Sequence, residues 1–113
     1  MAVIRPFKAI RPDKEAALDV AALPYDVYSE KEARAEVSGK PLSFLNIDRS
    51  ETQFPEGTDP YAPEVYEKAS ELLQNMIKDG TFVIEEKACY YLYELTFMGR
   101  TQTGIVCCAS IDD

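Results

Sequence analysis

Two short stretches carry the side chains best suited to chemistry. In "PYDVYSEKEARA", Tyr25 and Asp26 follow Pro24, which stiffens the backbone just ahead of a helix start at Ser29. A carboxylate fixed there could hold a metal ion or orient a substrate amine, and it equally suits bracing the turn before Ser29. In "GRTQTG", Arg100, Gln102 and Thr103 lie between Gly99 and Gly104. An arginine, a hydroxyl and accessible backbone amides are the inventory of a phosphate grip. A glycine-containing hairpin turn explains the same residues without a ligand, and the spacing is not that of a P-loop.

Weaker candidates surround these. Arg5 and Arg11 flank the first apolar run and could reach an anion, or simply keep an exposed strand soluble. Tyr91 and Tyr93 share one face of a strand and Tyr90 the other, as cleft lining or as core with polar tips. The carboxylate pairs Glu85–Glu86 and Asp112–Asp113 have no acid–base partner of defined geometry and are read as polar ends.

The chain contains no histidine and no CxxC, so these 113 residues hold neither a zinc site nor a Cys–His dyad, and no metal ligand set is assigned. Cys89, Cys107 and Cys108 are an odd number of thiols without a signal peptide, the pattern of a reducing, cytoplasmic compartment. A net charge of −8 argues against nucleic acid and against an anionic membrane surface as partners. No apolar stretch reaches the roughly 18 residues of a membrane span.

The elements that must position these groups read as follows. "AVIRPFKAIR" is an edge strand or two short strands, because Pro6 cannot donate to a ladder. Asp13 is a candidate N-cap for a helix of one or two turns. Ser29 and Glu32 have capping-box spacing, which predicts a helix from about Glu30 to Ser38 that ends at Gly39. "LSFLNID", Leu42 to Asp48, reads as a mostly buried strand. Arg49 to Pro63 is a long polar loop, of a length that compact domains keep for a use or for mobility. From Pro63 to Gly80 the apolar residues Val65, Ala69, Leu72, Leu73, Met76 and Ile77 recur at helical spacing. A short strand, "TFVIEE", and a hairpin turning at "MGR" follow. The expected class is α+β: about five strands in one mixed, mainly antiparallel sheet, with two or three helices packed on it, as a single domain or part-domain.

The blocks "IRPFKAIRP", "PYDVYSEKEARA", "PLSFLNIDR", "DPYAPEVYEKA" and "GRTQTGIVCCASIDD" resemble, in order and spacing, domain-of-unknown-function family 1015, a set of bacterial and archaeal cytoplasmic proteins. The resemblance covers essentially the whole chain; Leu23 stands where the family usually has the first of two prolines. It implies a longer protein that continues past "SIDD" into a Lys- and His-rich stretch and an Asp-Gly-His-His-Arg motif. That motif is similar to the signature of the ParB/sulfiredoxin-like superfamily, which includes a free-serine kinase.

The chain is therefore expected to be an N-terminal portion, stopping close to a strand before the histidine-bearing part. What the resemblance implies is a nucleotide- or phosphate-handling enzyme using nucleotide and Mg, with no cofactor held by these residues alone. Its partner would be the downstream domain of the same chain, and a surface left exposed by truncation could form a homodimer. The alternatives are a non-catalytic regulatory or nucleotide-binding module, or a structural cap for the downstream domain.

Overall fold

The computed structural model describes residues 2–111. Asp112 and Asp113, and with them the last carboxylate pair, lie outside the described residues. The chain divides into two compact units, residues 12–83 and residues 1–11 with 84–113. The crossings between them fall within two short strands, β2 (Ile10–Pro12) and β3 (Phe82–Ile84), which pair.

Unit 12–83 holds the buried core. Its helices are α1 (Ala17–Val20), α2 (Glu30–Val37), α3 (Leu45–Asp48) and α4 (Pro63–Lys78). The predicted capping box is present: Ser29 Oγ accepts from the Glu32 amide at 3.2 Å, and the Ser29 amide donates to Glu32 Oε1 at 3.0 Å. Helix α2 ends at Ser38, and Gly39 follows at φ +72°, where a side chain would be strained. Pro63 occupies the first turn of α4, where its missing N–H costs nothing. Val20, Met76 and Phe82 are buried together, with Leu42, Phe44, Ile47, Leu73 and Ile77 packed against them. Phe44 meets Phe82 edge-on, with ring centroids 6.2 Å apart.

The segment Leu42–Asp48 is not the predicted strand but a turn leading into helix α3. Its short apolar run fits a buried helix turn as well as a strand. The local polar groups decide between them. Asn46 Nδ2 donates to the carbonyls of Lys40 (2.9 Å) and Ser43 (3.0 Å), and Ser43 Oγ accepts from the Leu45 amide at 3.3 Å. These bonds satisfy a turn that a ladder would have to break.

Unit 1–11 with 84–113 is built from strands. β1 (Ile4–Arg5) pairs antiparallel with β6 (Cys108–Ala109), and β4 (Tyr91–Phe97) pairs antiparallel with β5 (Arg100–Val106). Pro6 separates β1 from β2, so the N-terminal run is two short strands. Met98 (φ +50°) and Gly99 (φ +76°) form the two-residue loop of the β4–β5 hairpin, both left-handed as a type I′ turn requires. No described residue of this unit is buried.

The fold is thus α+β, with one correction. Among the described residues the strands form three two-stranded sheets instead of one five-stranded sheet. The predicted buried strand, Leu42–Asp48, is a turn and α3 instead.

Candidate functional site

Tyr25 and Asp26 sit in a 3-10 turn, Tyr25–Val27, at the rim of a hollow of about 330 Å3 within unit 12–83. Arg49, at the end of α3, fixes that turn. Its Nη1 donates to the carbonyl oxygens of Tyr25 (3.1 Å) and Tyr28 (2.8 Å), and its Nε pairs with Glu51 Oε1. Glu51 is only 6% exposed, so the ion pair with Arg49 is largely withdrawn from water. A buried carboxylate is tolerated on that condition.

Asp26 and Asp48 complete the charged lining. Neither accepts a hydrogen bond from the protein among the described residues. Asp48 is exposed as a residue, yet partial desolvation of its carboxyl holds it above the usual carboxylate range. Tyr61 and Tyr66 supply exposed rings beside Tyr25. Three carboxylates against one arginine give the hollow a negative field, and three phenol rings give it cation-attracting faces. That combination suits an ammonium group and disfavours a phosphate.

The loop that follows α3, which contributes Glu51 to the lining, is itself tied down. Ser50 Oγ donates to the Val65 carbonyl at 2.8 Å. Arg34 of α2 donates to the carbonyls of Glu51 (3.1 Å), Phe54 (2.7 Å) and Pro55 (3.2 Å), and also pairs with Glu30. Glu30 is held below the usual carboxylate range, first by the Gly57 amide and then by Arg34. One guanidinium therefore fastens much of the loop that the sequence marked as long and polar.

Arg100, Gln102 and Thr103 belong to the other unit, on β5. Arg100 lies opposite Phe97 and Gln102 opposite Leu95, so these four share one face of the hairpin; Thr103 lies opposite Glu94 on the other face. The structure brings Arg100 and Gln102 together and sets Thr103 apart from them. Arg100 is the lone base between residues 91 and 106.

Near the base of the hairpin, Tyr91 is well anchored. Its hydroxyl donates to the Phe7 carbonyl (3.1 Å) and accepts from the Ala9 amide (2.9 Å). Arg11 stacks over its ring at 5.5 Å and pairs with Glu85 at 3.4 Å. Arg11 and Tyr91 are thus bound to each other, a structural use of two residues also read as site candidates. Among the described residues, no group of three or more His, Cys, Asp or Glu side chains is placed to hold a metal ion.

The sequence pointed to Tyr25 and Asp26 but missed Arg49, Glu51, Asp48, Tyr61 and Tyr66. The available signal was the run Asp48-Arg49-Ser50-Glu51, opposite charges placed directly after an apolar segment.

A family model described as "Protein of unknown function (DUF1015)" matches residues 4–113. The chain belongs to this family. No curated protein and no solved structure matches it. The DUF1015 match spans both units, so the hollow and the hairpin are parts of one family region. Among the described residues, no helix is long and apolar enough to cross a membrane.

Proposed function

We propose that this DUF1015 chain is the substrate-holding portion of a nucleotide- or phosphate-handling enzyme of the ParB/sulfiredoxin-like kind. In this reading the hollow around Arg49 receives the ammonium end of a small substrate. The observation that carries it is the lining: Asp26, Asp48 and Glu51 against Arg49 alone, with Tyr25, Tyr61 and Tyr66 beside them. Arg49 locks the Tyr25 turn, so the rim is pre-organised before ligand arrives.

Phosphoryl transfer demands positioning and concentrated positive charge. The chain has no histidine and its hairpin offers Arg100 alone, so the phosphate-handling groups, nucleotide and Mg would be held by other residues of the protein. Three free thiols support a cytoplasmic, reducing location. The structural-cap reading is favoured by one observation, the exposed hairpin of a unit with no buried residue among those described.

The test is an amide-resolved NMR titration of the chain with serine, phosphoserine, and ADP with magnesium. The expected result is shifts at Tyr25, Asp26 and Asp48 with the amino acids, abolished by Asp26→Ala, and none with the nucleotide. Unmoved hollow resonances with every ligand would overturn the substrate-holding reading and leave the structural cap. Phosphate transfer by the longer protein, with none by this chain, would support the division of labour.

A further inference from the structure

A guanidinium has five N–H groups, and the protein uses only part of the set on Arg49. Its Nη1 donates to the carbonyls of Tyr25 and Tyr28, and its Nε pairs with Glu51. Its Nη2 makes no hydrogen bond among the described residues. Nor is Nη2 sealed from water. Among those residues no buried side-chain nitrogen or oxygen lacks a partner, so an unbonded Nη2 reaches solvent. The side chain that carries it is only 17% exposed and is clamped at three points. Nη2 is therefore a fixed pair of free donors on a residue that lines the hollow.

The carboxylates of the lining are not equivalent. Glu51 is already paired with Arg49, and the two charges cancel. Asp26 and Asp48 enter no salt bridge among the described residues. Both stand close to the anchoring of Arg49: Asp26 follows Tyr25, whose carbonyl Arg49 holds, and Asp48 precedes Arg49 in the chain. The hollow thus combines two free acceptors of charge −1 with one free guanidinium nitrogen.

A ligand with an ammonium alone satisfies the two aspartates and leaves Nη2 in water. A ligand with a carboxylate alone meets Nη2 but is repelled by both aspartates. A molecule with both groups on one carbon satisfies the whole set, and charge-assisted bonds at each end are the strong kind. The volume, about 330 Å3, is at the lower end of the roughly 300–1,000 Å3 of small-molecule sites, so the ligand is small.

We propose that the hollow is a site for a free α-amino acid in its zwitterionic form, with Arg49 Nη2 receiving the α-carboxylate while Asp26 and Asp48 receive the α-ammonium. The inference rests on the ammonium-holding reading of this hollow, and it names the opposite end of the ligand and the atom that selects it.

The experiment is an NMR titration of the chain near neutral pH with four probes: L-alanine, alaninamide, ethylamine and propionate. The backbone amides of Tyr25, Asp26 and Asp48 and the Arg49 Nε–H are followed. L-alanine is expected to move all of them. Alaninamide and ethylamine, which keep the ammonium and lack the carboxylate, should move the Asp26 and Asp48 amides with affinity at least about tenfold weaker, the scale of one lost charge-assisted bond. They should leave the Arg49 signal in place, and propionate should move nothing. Equal affinity for L-alanine and ethylamine, or an Arg49 signal that L-alanine does not move, would overturn the carboxylate assignment and leave the ammonium reading standing. Unmoved resonances with every probe would overturn both.

Discussion

Arg49 holds the candidate site together by making three bonds at once, two to the carbonyls of the Tyr25 turn and one to Glu51. Removing it leaves a carboxylate that is 6% exposed with no counter-charge. Arg49→Ala should therefore destabilise the chain by about 3 kcal/mol, the scale of a broken buried pair. Arg49→Lys should recover only part of that loss, because one ammonium cannot span both carbonyls and Glu51. Urea denaturation of the two variants checks this, and equal stability to the parent would show that Glu51 finds water instead.

Asp48 is the residue where pH should act against the fold. Its carboxyl is raised above the ordinary range by desolvation, so folding favours its protonated form. Its unfavourable contribution appears as pH climbs from the unfolded pKa through the raised folded one, and persists above it. Glu30, Glu32 and Asp79 are lowered, chiefly by hydrogen bonds from Gly57, Ser29 and Thr81 respectively. They contribute stability above their unfolded values, and it is lost as pH falls through their folded ones. Asp48→Asn should thus raise the melting temperature at neutral pH and lose that advantage in acid. A gain that is the same at both pH values would sink this assignment.

At the scale of elements, local chemistry was legible where one rule acted alone. Ser29 and Glu32 announced the start of α2, Pro63 and Gly80 bracketed α4, and Met98-Gly99 set the hairpin turn. Ser29→Ala should cost about 1 kcal/mol, read as reduced helicity and melting temperature. Leu42–Asp48 was misread because apolar content does not distinguish a short buried helix from a strand. The deciding bonds come from Asn46 and Ser43 to backbone carried by the same turn. The rim of the hollow was legible at Tyr25 and Asp26, since proline and a helix start advertise a fixed turn. The bonds that hold the rim and the neighbouring loop were not, because Arg49 reaches Tyr25 across 24 positions and Arg34 reaches Phe54 across 20. Bonds of that span leave no periodic trace in the sequence.

At the scale of the molecule, charge is divided unevenly. Residues 12–83 hold fifteen acids and seven bases, while the other unit is neutral. Self-repulsion of that kind opposes folding and is screened by salt. Raising ionic strength from low to physiological should raise the melting temperature. An unchanged or lower value would mean that pairs such as Lys40–Glu36 outweigh the net repulsion.

The pairing of the first strand with the last also sets a schedule for folding during synthesis. Ile4 and Arg5 find their partners at Ala109 and Cys108, and the Val3 amide bonds to Ser110 Oγ. A ribosome delivers residues 12–83, with every buried residue of the chain among those described, well before it releases residue 108. The helical unit can therefore close while the N-terminal strand, with Val3 and Ile4 bare, waits for the far end to emerge. A stalled nascent chain arrested before residue 108 would expose that strand to chaperones and proteases, and one arrested beyond it would not.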